Sequence, residues 1–160
     1  THRVNAFHTS VSLDNTPLAN YFLSLRTLFN TTKGVSVAFT ITKTIRPNAV
    51  WQEMYLQVQK DQRVIIAAEG LWSPEMRPLT TTWCGPDGIE GRMANEKYAL
   101  PGTNVGALIG RVGESPALSV GNYFDFYSPF AGPLFLSMNE NPEYHNQAGT
   151  VAAQIILFDV

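Results

Sequence analysis

A rhythm of short apolar runs, cut by glycine and proline, constrains the fold of this chain more than any other feature. From Gly34 onward, "GVSVAFTIT", "EMYLQVQ", "RVIIAAEG", "GALIGRVG", "ALSVG", "NYFDFYS", "PLFLSM" and "TVAAQIILF" succeed one another with turn residues between most of them. In the first run Val35, Val37, Phe39 and Ile41 alternate with Ser36, Ala38, Thr40 and Thr42, the period of a strand with one buried face. Met54, Leu56 and Val58 repeat that alternation, whereas "RVIIAAEG" is apolar almost throughout, as befits a strand buried on both faces. Short strands separated by turns every ~8–12 residues are the spacing of an antiparallel sandwich. The sequence therefore predicts an all-β, jelly-roll-like antiparallel β-sandwich.

Two stretches depart from the rhythm. "TPLANYFLSLRTLF" spaces Leu18, Phe22, Leu25 and Phe29 at helical intervals, behind Thr16 as N-cap and Pro17 at the first helical position. This predicts one short N-terminal helix between Thr16 and Phe29. "WSPEMRPLTTTWCGPDGIEG", 72–91, is too rich in proline, glycine and polar residues for a regular element and is expected to be a long structured loop. Residues 1–45 are expected to form an N-terminal extension packing on a sandwich made by 46–160, because "GVSVAFTIT" needs a partner strand to bury its apolar face.

Composition narrows the function. The 160 residues suffice for one domain with its own core. Charged residues are only 15% and the formal net charge is -2, which gives no electrostatic case for binding phosphate backbones. No apolar run approaches the ~18 residues of a membrane span. Cys84 is the single cysteine, so no intrachain disulfide forms. The chain starts at Thr1 rather than Met, which leaves room for a leader or a preceding domain, and compartment is not constrained by the residues themselves. The lone Asn30-Thr31-Thr32 sequon carries little weight.

Catalytic signatures are missing. There is no G-x-S-x-G elbow, P-loop, H-E-x-x-H or C-x-x-C. A Cys84–His145 nucleophile pair has no more support than any cysteine and histidine in one chain. The carboxylates Asp87, Glu90, Glu140 and Glu143 have no separation fixed by sequence, and separation is what glycoside hydrolysis depends on. A non-enzymatic protein is expected.

The connection between "PLFLSM" and "TVAAQIILF" is different in kind. Asn139, Glu140, Glu143, Asn146 and Gln147 place side-chain oxygens within nine residues. Calcium takes roughly six to eight oxygens from carboxylates, amides and backbone carbonyls, and a turn exposes carbonyls as well. The pattern is not an EF-hand loop. Read from residues alone, it fits either a cation cage or an ordinary solvated hairpin loop.

Three stretches bear on that choice together: "KDQRVIIAAEGLWS", then "GPDG" with "GALIGRVG" and "SVG", then "GPLFLSMNENPEYHNQAGTVAAQI". In this order they resemble the bacterial PA-IL-like galactose-binding lectins over about Arg46 to Val160. The resemblance implies a jelly-roll-like sandwich, one calcium ion held mainly by the last long loop, and galactose-containing glycans as partners that coordinate the ion through ring hydroxyls. Carried over from closing Gly149, Asn146 and Gln147 fall on the family's paired asparagine ligands. Asn139 falls on its aspartate ligand, with Glu140 one place on. Glu143 falls on a residue that gives a backbone carbonyl, and Pro74, or Ser73 beside it, on another. The segment "GRMANE", 91–96, falls where the family places further sugar contacts, with Arg92 and Asn95 the candidates beside Asn139, Glu143 and Asn146.

The chain departs from the family in having Asn139 for an aspartate and Gln147 for an asparagine, which lowers the ligand charge on which calcium affinity depends. His145 has no metal role in the family and is expected at the rim. Trp83 is a candidate ring face for a sugar, while Trp72 is expected in the core because it follows a buried strand. The resemblance also implies a bacterial secreted or cell-surface protein, as a homo-oligomer or as part of a larger chain. The alternative is a structural or protein-interaction sandwich that has lost metal and sugar binding.

Overall fold

The computed structural model describes residues 37–160, so the helix expected at Thr16–Phe29 lies outside the described residues. The strand expected from "GVSVAFTIT" is described from Val37 as β1 (Val37–Ile45), followed by β2 (Gln52–Val58) and β3 (Arg63–Glu75). Then come β4 (Thr82–Cys84), β5 (Leu108–Val112), β6 (Leu118–Ser119), β7 (Tyr123–Tyr127), β8 (Gly132–Met138) and β9 (Ala148–Phe158). All pairings are antiparallel. Five strands form one sheet in the order β1-β9-β3-β4, with β7 also on β3; the other sheet runs β2-β8-β5-β6. This is the expected antiparallel sandwich, and no described strand pair needs a helical crossover.

The alternation read from the sequence is what fills the space between the sheets. Val64, Ile66 and Ala68 of β3, with Leu157 and Ile155 beside them on β9, form a single buried cluster with Met54, Leu56 and Val58 of β2 and Leu134 and Leu136 of β8. β3 is the axis of its sheet, paired with β9 from Val64↔Leu157 to Ser73↔Ala148 and with β7 along its first half. Ile65 and Ala67, which alternate with Val64, Ile66 and Ala68 along β3, are buried too, and burial on both faces is why "RVIIAA" carries no polar alternation. Ile45 at the end of β1 is fully buried in the same cluster.

The segment expected as a loop at 72–91 is partly strand. β3 continues past Gly70 to Glu75, and β4 pairs with it through Trp72↔Cys84 and Glu75↔Thr82. The register shifts between these two pairs, at the point where Pro74 sits. Proline cannot donate to a ladder, and a bulge is where a sheet tolerates it, so composition alone hid the strand. Trp72 is fully buried, and its indole N–H donates to the carbonyl of Gly106 at 2.8 Å, tying the sheet to the excursion before β5. No helix among the described residues is long and apolar enough to cross a membrane.

Candidate functional site

The site is built where three loops meet at one end of the sandwich: the end of β3 at 73–77, the excursion 85–107, and the connection 139–147. Asn139 is the hinge pin between the last two. Its backbone N–H donates to Ala107 and its carbonyl accepts from Gly106, at 2.7 and 2.8 Å. Its side chain is 0% exposed; Nδ2 donates to the carbonyls of Leu100 (2.9 Å) and Asn104 (3.3 Å), and Oδ1 accepts from the Leu100 N–H at 3.0 Å. Both ends of the carboxamide therefore serve the 100–104 turn, which a carboxylate with no donor cannot do.

Glu140 follows and is also buried, at 1% exposure. Its Oε1 accepts from the Asn141 N–H at 2.7 Å, and among the described residues it makes no ion pair. Burial pushes its carboxyl up to about 7, against the opposing pull of the Asn141 N–H and of Arg92, with Glu75 adding repulsion. Asn141 is buried and turns the chain by accepting from the Glu143 N–H at 3.0 Å.

Beyond that turn the side chains emerge. Glu143 reaches Lys97 Nζ at 3.7 Å across to the 85–107 excursion. Asn146 is tied to the end of β3 twice: the Met76 N–H donates to its carbonyl at 2.7 Å, and its Nδ2 donates to the Met76 carbonyl at 3.3 Å. Gln147 Nε2 donates to the Tyr144 carbonyl at 2.8 Å. Each amide thus spends an N–H on a backbone carbonyl, and among the described residues neither side-chain oxygen accepts a hydrogen bond. Gly149 then enters β9 at φ +81; a Cβ there would strike Leu71 backbone and come within 2.8 Å of the Trp83 ring. Only glycine fits that step.

An open cleft of about 520 Å³ is lined by Glu75, Glu143, Tyr144, His145 and Asn146. The sequence had pointed to neither Glu75 nor Tyr144. Glu75 holds two arginines at once, Arg77 through Oε1 and Arg92 through Oε2 at 3.2 Å, and these guanidiniums, Arg77 foremost, lower its carboxyl below the usual range. The only sequence signal for it was its place beside Pro74 at the strand's bulge. Pro74 itself is buried and would contact any Cβ placed at Gly106. Asn95 stays at the surface, its Oδ1 accepting from the Lys97 N–H at 3.0 Å.

The structure thus joins Arg92 to Glu75, Glu143 to Lys97, and Asn146 to Met76, with His145 exposed at the rim. Cys84 lies in the core, where burial pushes its thiol up to about 11, so it holds its proton at neutral pH. Trp83 is 51% exposed on the sheet.

Among solved structures, the chain is similar to one described as "EclA N-terminal domain; PllA-like lectin", with a TM-score of 0.56 and 18% sequence identity, over 76% of this chain and 98% of that one. The likeness is one of fold. No protein-family model matches the chain. No curated protein matches it either.

A calcium site needs oxygens of the right kind. No cluster of three or more His, Cys, Asp or Glu side chains that would hold a metal occurs among the described residues. A cage built on one acid, amides and backbone carbonyls is not of that type; in such a cage Glu140 would supply charge, and Asn146 and Gln147 amide oxygens that accept no hydrogen bond among the described residues. The Asn139 oxygen, by contrast, is buried and already accepts from the Leu100 N–H.

Proposed function

We propose that the chain is a non-catalytic carbohydrate-binding module of the lectin type, calcium-dependent and galactose-preferring. The observation that supports this best is the buried carboxylate of Glu140 at the start of an oxygen-rich loop, without an ion-pair partner among the described residues. A buried charge ordinarily carries a counter-charge, and a hard cation is the counter-charge that amide and carboxylate oxygens favour. In this reading Glu140, Asn146 and Gln147 hold the ion, with carbonyls from Glu143 and the Ser73–Pro74 bulge. The ion would supply open coordination positions for two vicinal hydroxyls of a galactoside. Asn139 acts as a positioning residue for the 100–104 turn, and Arg92 and Asn95 meet hydroxyls away from the ion.

The test is a melting curve with calcium and with chelator, followed by a glycan array under both conditions. A ligand that binds only the folded state stabilises it by about 2.7 kcal/mol at a hundredfold excess over Kd, so calcium should raise Tm. The double change Asn146→Ala and Gln147→Ala should abolish that rise, and terminal galactosides should bind only with calcium. A Tm indifferent to calcium, with no glycan bound, would instead support a protein-interaction sandwich. The commitment of the Asn139 carboxamide to the 100–104 turn favours that second reading, since it removes one expected ligand.

A further inference from the structure

On one side of the sandwich β1 and β2, edge strands among the described residues, border a second open cleft, about 480 Å³, whose lining includes Lys43, Thr44, Arg46, Asn48, Glu53 and Tyr55. Tyr55 has φ +58, in the left-handed region that side chains with a Cβ rarely adopt, and it does so inside a strand. The cause is a bulge. Glu53 pairs with Phe135 and Gln57 with Pro133, so β2 takes four steps where β8 takes two. Met54 and Leu56 stay in the core while Tyr55 between them is 79% exposed. Backbone strain of this kind persists where surrounding structure over-determines it, and it concentrates at ligand sites.

Lys43 Nζ lies 5.3 Å from the centroid of Tyr55, over one face. Among the described residues neither Lys43 nor Glu53 has an ion-pair partner. Gln52, by contrast, is bonded to the Arg46 N–H and carbonyl at 3.0 Å each, which fixes the turn that closes one end of the cleft.

We propose that this cleft is a second glycan subsite, independent of metal, in which the open face of Tyr55 packs on the C–H face of a pyranose ring. The ring's negative π-face attracts weakly positive C–H groups. An ammonium only donates and a carboxylate only accepts, so Lys43 and Glu53 together suit hydroxyls, which do both. Glu53 repels an anion, and Lys43 with Arg46, which also lines the cleft, repels a cation; a neutral polyol is repelled by none of them.

The experiment is an NMR titration of the full chain in excess EDTA with lactose, maltotriose and chitotriose. At least one should shift the signals of Lys43, Glu53 and Tyr55 while leaving 139–147 unmoved. Tyr55→Gly relieves the left-handed strain as it removes the ring, so the fold survives; binding should weaken roughly tenfold, the scale of one stacked aromatic face. Tyr55→Phe, which keeps the ring, should restore it. If none of the sugars moves these signals, or if Tyr55→Gly binds as the parent does, the subsite is overturned. Loss of the calcium response with these shifts intact would remove only the reading of the 139–147 loop.

Discussion

Asn139 and Glu140 are neighbours, equally buried, and opposite in what the fold does for them. Every polar atom of the Asn139 carboxamide has a partner on the 100–104 turn. Glu140 has one backbone N–H and no ion pair among the described residues. A satisfied buried polar group specifies structure, whereas an uncompensated one costs stability and persists where something outside the chain completes it. The same contrast separates the seam of β3 and β9, apolar along most of its length, from the polar loops at its end.

Cutting into the seam should have the largest effect. Ile66→Ala deletes a fully buried side chain between the sheets and should cost about 2–5 kcal/mol in a denaturant titration. It should leave any calcium response per folded molecule intact; a calcium response lost with it would mean that seam and loop are not separate.

Glu140→Gln sharpens the comparison next. Because the folded state raises this carboxyl from 4.5 to about 7, the folded protein binds the proton more tightly than the unfolded chain does. Calcium-free stability should therefore be greatest below pH 4.5 on this account and decline as pH rises through 7. At about 1.4 kcal/mol per pKa unit the decline is roughly 3 kcal/mol. The glutamine variant should flatten that slope, be more stable than the parent at pH 8 without calcium, and lose the calcium response. A parent protein whose calcium-free stability rises from pH 5 to 8 would contradict this assignment for Glu140.

Asn139→Ala should cost about 1–3 kcal/mol, the penalty for leaving buried backbone groups unpaired. Asn139→Asp should be almost as damaging, since it loses both donated bonds; a tolerated aspartate would restore Asn139 as a metal ligand. The smallest effect belongs to Arg92→Ala. A half-exposed ion pair contributes about 0–1 kcal/mol, so its stability should barely change while sugar preference shifts on the array.

The fold was legible because its signals are local and repeated. Alternation in 53–59 marked a strand with one buried face, and "RVIIAAEG" marked a strand buried on both faces. The strand at 72–75 was not legible, because Pro74 and its neighbours read as loop chemistry until β4 was seen pairing across the bulge. The site divided in the same way. Residue types and the order of motifs located an oxygen-rich loop and named Asn146, Gln147 and Arg92. They could not say which of Asn139 and Glu140 is spent, because that depends on Leu100, some forty residues away in sequence. Nor could they find Glu75 holding Arg92 from the 85–107 excursion, or the strained Tyr55 beside Lys43 of the other sheet, pairs that only the tertiary fold brings together. Periodicity along a chain determines which faces are buried. Whether a buried polar group finds its partner is decided by what the tertiary fold brings within three ångströms of it.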